Sequence, residues 1–324
     1  MFKENENRPI VVVFCTSFNH GKYIKQTLDS IMKQKTDYSF KIVVHDDAST
    51  DNSQEIIREY AKRFPETIIP ILQKENQFSK GVNVYNEQLE ELMQGKYIAY
   101  CECDDYWTDE NKLQKQIDYM ENHPNCSMCV HNTKKVNESG NDLDILFNNV
   151  GEDKDYCAED VILAGGGGLF HTSSYLYRTE LKAIMPDCFM MKKVADYPMA
   201  IYMSTKGYIH YMKETMSAYR VAAIQSWSVI FNKDNHARVS HYLEIIRTLK
   251  KMDEYTKYQY TNAFQKIINE NEYLYLFCTY QFKKICQNNE YKNQFKKNSL
   301  LTRIKYIIKA VLTTSKEVDI NEQI

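Results

Sequence analysis

No stretch of this chain is apolar for long enough to cross a bilayer, since a spanning helix needs roughly 18 to 20 apolar residues in a row and the uninterrupted apolar runs here are far shorter. The N-terminal segment lacks the apolar core of a secretory signal, so a cytoplasmic location is expected. An excess of charge of one sign is also missing. Lys and Arg number 41 against 43 Asp and Glu, a formal net charge of -2, which gives no nucleic-acid signature. No internal repeat is present. The nine cysteines are odd in number and scattered through apolar segments, as expected of reduced thiols rather than a disulfide framework. Cys101-x-Cys103 and Cys126-x-x-Cys129 alternate along predicted strands and lack a convincing set of four zinc ligands, and His131 reads as a buried, hydrogen-bonded histidine. What remains is a chain of 324 residues, 43% apolar and 26% charged, able to bury one substantial core plus a smaller appendage.

Apolar periodicity gives the organisation. Ile10 to Cys15 is a continuous apolar run, the pattern of a strand buried on both faces. Ile24, Leu28, Ile31 and Met32 then recur at helical spacing. Strand Lys41 to His45 follows, then a helix marked by Ile56, Ile57, Tyr60, Ala61 and Phe64, with capping residues Asp51, Asn52 and Ser53 before it. Strand Thr67 to Leu72, a helix carrying Tyr85, Leu89, Leu92 and Met93, and strand Tyr97 to Cys101 continue the alternation. Such alternation implies right-handed crossovers and an α/β fold with a mainly parallel sheet flanked by helices. A helix with Leu113, Ile117 and Met120 ends near His123-Pro124, and Cys126 to His131 resumes the sheet. Beyond residue 132 the pattern loosens: 137 to 155 is polar, and Gly165 to Gly168 predicts a mobile loop. Strands are expected near 173 to 177 and 208 to 212, and helices near 179 to 185, near 198 to 205 and from about 232 onward.

Two acidic clusters stand at the carboxyl ends of predicted strands, Asp46-Asp47 and Glu102-Cys103-Asp104-Asp105. Carboxylates gathered at that edge of an open α/β sheet sit where such folds bind ligands, and they repel one another unless a cation or hydrogen bonds neutralise them. The ligand they suggest is a nucleotide diphosphate carried by a divalent metal.

Taken in order, Val11 to Asn19, Asp46-Asp47-Ala48-Ser49-Thr50-Asp51 and Glu102-Cys103-Asp104-Asp105-Tyr106-Trp107 resemble the motif set of family 2 glycosyltransferases of the GT-A fold, a Rossmann-like arrangement. The likeness covers roughly residues 8 to 220. It implies sugar transfer from a nucleotide donor with inversion at the anomeric carbon, assisted by Mn²⁺ or Mg²⁺. It further implies a catalytic domain over 1–231, with a nucleotide-sugar half to about 131 and an acceptor half after it, and a helical region over 232–324.

Residue by residue, the resemblance makes Asp104 and Asp105 the metal ligands. Glu102 stands where the family often carries the first Asp of its DxD motif. Asp47 matches the carboxylate that accepts the base imide proton, which favours a UDP-sugar. Thr16, Phe18 and Asn19 lie in the turn that would hold the base, whereas Asp46 and Asp51 read equally well as turn and cap residues. Lys80 to Asn86 would face the diphosphate or solvent. Asp196, in Val194-Ala195-Asp196-Tyr197-Pro198, matches the base that deprotonates the acceptor hydroxyl, and it would also cap the helix that follows. His171 and Trp107 match acceptor-pocket positions. Arg220, before a segment that resembles the family's flexible closing stretch, would reach the diphosphate on closure.

The tail adds a separate signal. Between Lys283 and Lys316 nine Lys or Arg face the single acid Glu290, a balance of +8, with Ile304, Ile307, Ile308, Val311 and Leu312 on one helical side. Such a helix suits either packing on the protein or peripheral contact with an anionic membrane face, and the latter fits a lipid-linked saccharide acceptor. Two other functions compete. A sugar-nucleotide nucleotidyltransferase would carry a glycine-rich, Arg-bearing loop where this chain has Thr16 to Gly21, and a non-catalytic glycan-binding domain would not need Asp47, Asp104, Asp105 and Asp196 together.

Overall fold

The computed structural model describes residues 8–80, 87–166, 168–189, 196–221, 231 and 234–312. The chain divides into two compact units, residues 1–223 and 224–324. In the first, strands and helices alternate: β1 (Val11–Ser17), α1 (Ile24–Met32), β2 (Phe40–Asp46), α2 (Ser53–Arg63), β3 (Ile68–Leu72), α3 (Glu87–Leu92) and β4 (Tyr97–Tyr100). Strand β1 runs parallel to both β2 and β4, and β2 runs parallel to β3. Val11, Val12, Val13, Phe14 and Cys15 are at most 2% exposed, which is why their run is continuously apolar. Ile24, Leu28 and Ile31 of α1 join Val11, Val13, Ile42, Val44 and Ile57 in one core. Burying each such side chain contributes about 1.5 to 3 kcal/mol.

The rest of this unit is β5 (Tyr106–Trp107), α4 (Lys112–Asn122), β6 (Cys126–Val136), β7 (Asp142–Leu146), β8 (Lys154–Tyr156), α5 (Ala158–Leu163), β9 (Leu176–Arg178), α6 (Thr179–Ala183), α7 (Asp196–Lys206) and β10 (Tyr208–Arg220). Short 3₁₀ turns span Thr172–Ser174 and Asp187–Phe189. The sheet order is β3-β2-β1-β4-β9-β6-β10-β5, with β7 beside β6 and β8 beside β10. The parallel arrangement holds from β3 to β4; β9 then runs antiparallel to both β4 and β6, so the second half of the sheet is mixed. Strand β7 and the start of β8 lie within the polar stretch that gave no strand signal. β7 is exposed along its whole length, so no buried face shaped its composition.

Lys112, the first residue of α4, is fully buried. Its Nζ donates to Gln116 Oε1 at 2.8 Å and lies 4.1 Å from the Trp107 ring centroid. Burial pulls its pKa down to about 7, because an ammonium ion loses its hydration there.

The second unit is helical: α8 (Asn235–Tyr255), α9 (Thr261–Cys278), α10 (Phe282–Gln287), α11 (Asn289–Lys296) and α12 (Leu300–Leu312). Asp234 caps α8, its carboxylate accepting from His236 N at 2.9 Å. Lys257 and Tyr258, at φ 52° and 62°, turn the chain into α9, and Ile245, Ile246, Leu249 and Met252 are buried on α8 as Phe264, Ile267 and Ile268 are on α9. Helix α12 is anchored by Tyr306, which stacks on Phe277 at 4.6 Å and donates to Leu276 O at 3.2 Å. No helix among the described residues is long and apolar enough to cross a membrane.

Candidate active site

From β1 the chain builds outward through β2 and β3, then returns to place β4 on the other side of β1. That reversal leaves a crevice at the carboxyl ends of β1 and β4, the place where open α/β sheets take ligands. Cys101 N donates to Phe14 O at 3.0 Å and Cys103 N to Thr16 O at 2.9 Å, so the acidic segment after β4 is zipped to the end of β1.

The acids after β2 divide by environment. Asp46 is fully buried and spent on local structure, accepting from Ser49 N at 2.9 Å, Ser49 Oγ at 2.5 Å and Gln54 Nε2 at 2.8 Å. Asp51 accepts from Ser53 N and from Gly21 N, both at 2.9 Å, which makes it a cap and a clip. Gly21 fits because a Cβ there would lie 2.0 Å from Asn52 Oδ1. Asn19, at φ 57°, receives Thr50 N at 2.8 Å and donates its own N–H to Ser49 Oγ at 2.8 Å, so it joins two loops. Asp47 reaches further: its two carboxylate oxygens accept the amides of Gln77 at 2.7 Å and Phe78 at 3.1 Å. It therefore fixes the loop after β3, and each oxygen keeps a second lone pair. Thr16 and Phe18 are half-buried at the end of the neighbouring strand β1.

The acids after β4 meet a histidine from a distant part of the chain. One ligand atom each from Glu102, Asp105 and His171 lie within 4.8 Å of one another. Asp105 is 1% exposed; its Oδ1 accepts from Arg220 N at 2.9 Å, while its Oδ2 has no hydrogen-bond partner and sits 3.6 Å from His171 Nε2. His171 Nδ1 lies 2.7 Å from Ser173 Oγ and 3.3 Å from Ser173 N. Ser173 Oγ in turn donates to Ser217 Oγ at 3.1 Å, so a row of short polar side chains holds the ring in place beside Asp105. Burial, and after it Lys135, holds the imidazole neutral by lowering its pKa to about 3. Burial also lifts Glu102 to about 7, with Asp104 adding to the effect, and pushes Asp105 well above the usual carboxylate range for the same reasons. A neutral imidazole, two carboxyls that resist ionising together and an unpaired buried oxygen form a donor set that a divalent cation would satisfy. Asp104 is more exposed, with Oδ2 3.8 Å from His20 Nε2. Asp196, the first residue of α7, accepts from Tyr197 N at 2.8 Å through Oδ1, and its charge is felt by Glu102 and Tyr175. Burial raises its pKa.

The surroundings of three candidate residues differ from those expected. Trp107 is 4% exposed, and its indole N–H donates to Ser173 O at 3.1 Å; the ring faces Lys112 rather than an acceptor sugar. Arg220 is 2% exposed. Its Nε donates to Asp104 O at 2.9 Å, Nη1 to Asn137 O at 3.3 Å and Glu138 O at 2.8 Å, and Nη2 to Gln26 Oε1 at 2.8 Å, with the guanidinium 4.6 Å from the Tyr23 ring centroid. A guanidinium with four such bonds is a brace that holds the acidic segment, not an arm free to close on a diphosphate. His171 stands in the acid cluster. Thr172, whose hydroxyl donates to Glu102 Oε2 at 3.0 Å, is a site neighbour that was not singled out; the run His171 to Ser174, just ahead of β9, was the signal for it. The expectations for 81–86, for the closing segment 222–228 and for residues 194–195 lie outside the described residues, as does Gly167 of the glycine run.

An uncharacterized protein of Mycobacterium tuberculosis is 33% identical over 211 residues, which are 65% of this chain and 58% of that protein; the chain thus spans 58% of that relative's length. The UDP-Glc:alpha-D-GlcNAc-diphosphoundecaprenol beta-1,3-glucosyltransferase WfaP of Escherichia coli is 31% identical over 112 residues, 35% of this chain and 41% of WfaP. Among solved structures, residues 1–349 of S. aureus TarS in complex with UDP-GlcNAc share the fold, with a TM-score of 0.54 at 18% identity over 84% of this chain and 80% of that one. The sequence profile described as glycosyl transferase family 2 matches residues 11–181, more than half of the chain, spanning both acidic strand ends and His171. With the acids of β2 and β4 gathered at the crevice of a sheet that this family shares, the chain belongs to glycosyl transferase family 2.

Proposed function

We propose that this protein moves a sugar from a UDP-sugar to a saccharide or lipid-linked saccharide acceptor with inversion, using a divalent cation and Asp196 as the base. The observation that carries this reading is the convergence of Glu102, Asp105 and His171 within 4.8 Å, with Asp196 close enough to raise the pKa of Glu102. Asp105, Glu102 and His171 would hold Mn²⁺ or Mg²⁺, and Asp104 would complete the set from its more exposed position. The bound cation supplies positive charge to the departing diphosphate.

The remaining work falls to the chain's own groups. The hydrogen-bonded row from His171 through Ser173 and Ser217 to Thr133 keeps the imidazole in place. Arg220 and the β1 backbone hold the acidic segment in place before any ligand arrives, so little ordering remains when the donor binds. Asp196, its pKa raised by burial, is a stronger base than a solvated carboxylate once ionised, and it would accept the proton of the attacking hydroxyl as the new bond forms. The acceptor named for WfaP supports a lipid-linked saccharide, and such an acceptor would bring this protein to the cytoplasmic face of a membrane.

A panel of sugar nucleotides with Mn²⁺, read by free nucleoside diphosphate, tests the donor class. UDP-sugars should be consumed in preference to GDP- and CDP-sugars. Asp47→Ala should then shrink the preference for UDP over CDP, because loss of the loop anchor weakens both nucleotides alike whereas loss of an imide acceptor weakens only uracil. Equal turnover of all three donor classes by the parent protein, or an unchanged preference in the variant, would count against the assignment.

A further inference from the structure

Helix α12 touches its own unit along one narrow seam. Tyr306 is 3% exposed in an aromatic nest with Phe277, Phe295 and Tyr280, yet the opposite side of the same helix is bare: Leu300 is 66% exposed, Leu301 71%, Ile304 45%, Ile307 37%, Ile308 53% and Val311 76%. At about 100° per residue these six fall within an arc of roughly 120°. Arg303 borders the arc on one side and Lys305 on the other, with Lys309 beyond, and α12 contains no acid. Along the sequence, the stretch from Lys283 to Lys316 carries a balance of +8.

We infer that this face of α12 docks on an anionic lipid bilayer, lying in the interface plane with Leu301, Ile304 and Ile308 among the acyl chains and the flanking basic groups against phosphates. An apolar arc of this width left in water is the kind of patch that marks an interaction site. A protein partner would bury the arc equally well, but a border of one sign of charge with no acid in the helix complements a sheet of lipid phosphates better than a mixed protein surface. The binding strength would come from the apolar arc, and the preference for anionic lipid from the border. The inference is independent of the donor chemistry, since the helix would dock whether or not a sugar is transferred.

Co-sedimentation of the full chain with phosphatidylglycerol vesicles and with phosphatidylcholine vesicles tests it. Binding should be strong to the first, weak to the second, and weakened by salt as the border charges are screened. Leu301→Gln with Ile308→Gln should lower binding at least about tenfold with little change in the melting temperature, because both side chains are more than half exposed. Lys305→Glu should remove part of the salt-sensitive component only. No binding by the parent, unaltered binding by the double variant, or a parent dimer that the double variant splits while vesicles are ignored would each overturn the proposal. Failure of donor turnover would leave the vesicle result untouched and would count against the proposed function alone.

Discussion

Asp196→Asn is expected to lower sugar transfer by about 10² to 10⁴, the usual effect of removing a general base, while UDP affinity stays near that of the parent. The reason for choosing Asn lies in the geometry. Asp196 opens α7 and its Oδ1 accepts from Tyr197 N at 2.8 Å; the Asn carbonyl can keep that bond, so the helix start survives. A change to Ala would also remove a cap worth about 1 kcal/mol and confuse folding with catalysis. What Asn cannot do is take a proton. The nucleotide would contact the ends of β1, β2 and β4, not α7, so binding titrations should be unmoved. Transfer within a few-fold of normal would rule out Asp196 as the base, and a parallel loss of UDP binding would reduce it to a capping residue.

Chelation should abolish turnover and Mn²⁺ should restore it, because a diphosphate beside Glu102, Asp104 and Asp105 is otherwise repelled. His171→Ala should weaken apparent Mn²⁺ affinity at least about tenfold, and more than Asp104→Asn does, if the buried trio rather than the Asp104–Asp105 pair is the principal ligand set. The pH dependence gives an independent reading. Glu102 has a pKa of about 7 in the folded protein against 4.5 ordinarily, so between those values the folded state holds a proton that the unfolded chain has released. The stability contributed by this group in metal-free protein therefore falls as pH rises toward about 7, and a cation that binds the ionised form should offset the fall. Melting curves over that window, with and without Mn²⁺, would show the two profiles diverging. Full turnover in chelator, with superimposable profiles, would exclude the metal.

Much of the architecture was legible because it is written in local periodicity: the apolar run of β1 and the stripes of α1, α2 and α4 each follow from what their own residues bury. The acids after β2 and β4 were legible for a similar reason, since several carboxylates at one sheet edge have few purely structural uses. What escaped the sequence depends on partners distant along the chain. Trp107 offered a ring that any sugar could use, and only the fold places Ser173 O and Lys112 against it. Arg220 advertised a charge, and only the fold spends its donors on Gln26, Asp104, Asn137 and Glu138. His171 meets Asp105 because β9 enters the sheet next to β4, an antiparallel insertion that no periodicity announces. Strand β7 lacked a signal because its residues face water.

The buried amine of Lys112 gives the protein a second, hidden response to alkalinity. Its pKa is about 7 in the folded state against 10.5 ordinarily, so over that range the unfolded chain carries a proton that the native interior refuses. Heat tolerance should accordingly climb as pH rises from neutrality toward 10.5, in a manner indifferent to cations and nucleotides. Lys112→Met would flatten this climb and would leave Gln116 Oε1 without its donor, a loss of about 1 to 3 kcal/mol at every pH. The variant should therefore compare best with the parent at and below neutral pH and worst in alkali. Parallel melting profiles across the range would show that the amine keeps its proton inside the fold. Diverging profiles would mean that the interior between Trp107 and Gln116 changes its own charge within the range of ordinary buffers, so that assays run on either side of neutrality would sample two differently charged interiors.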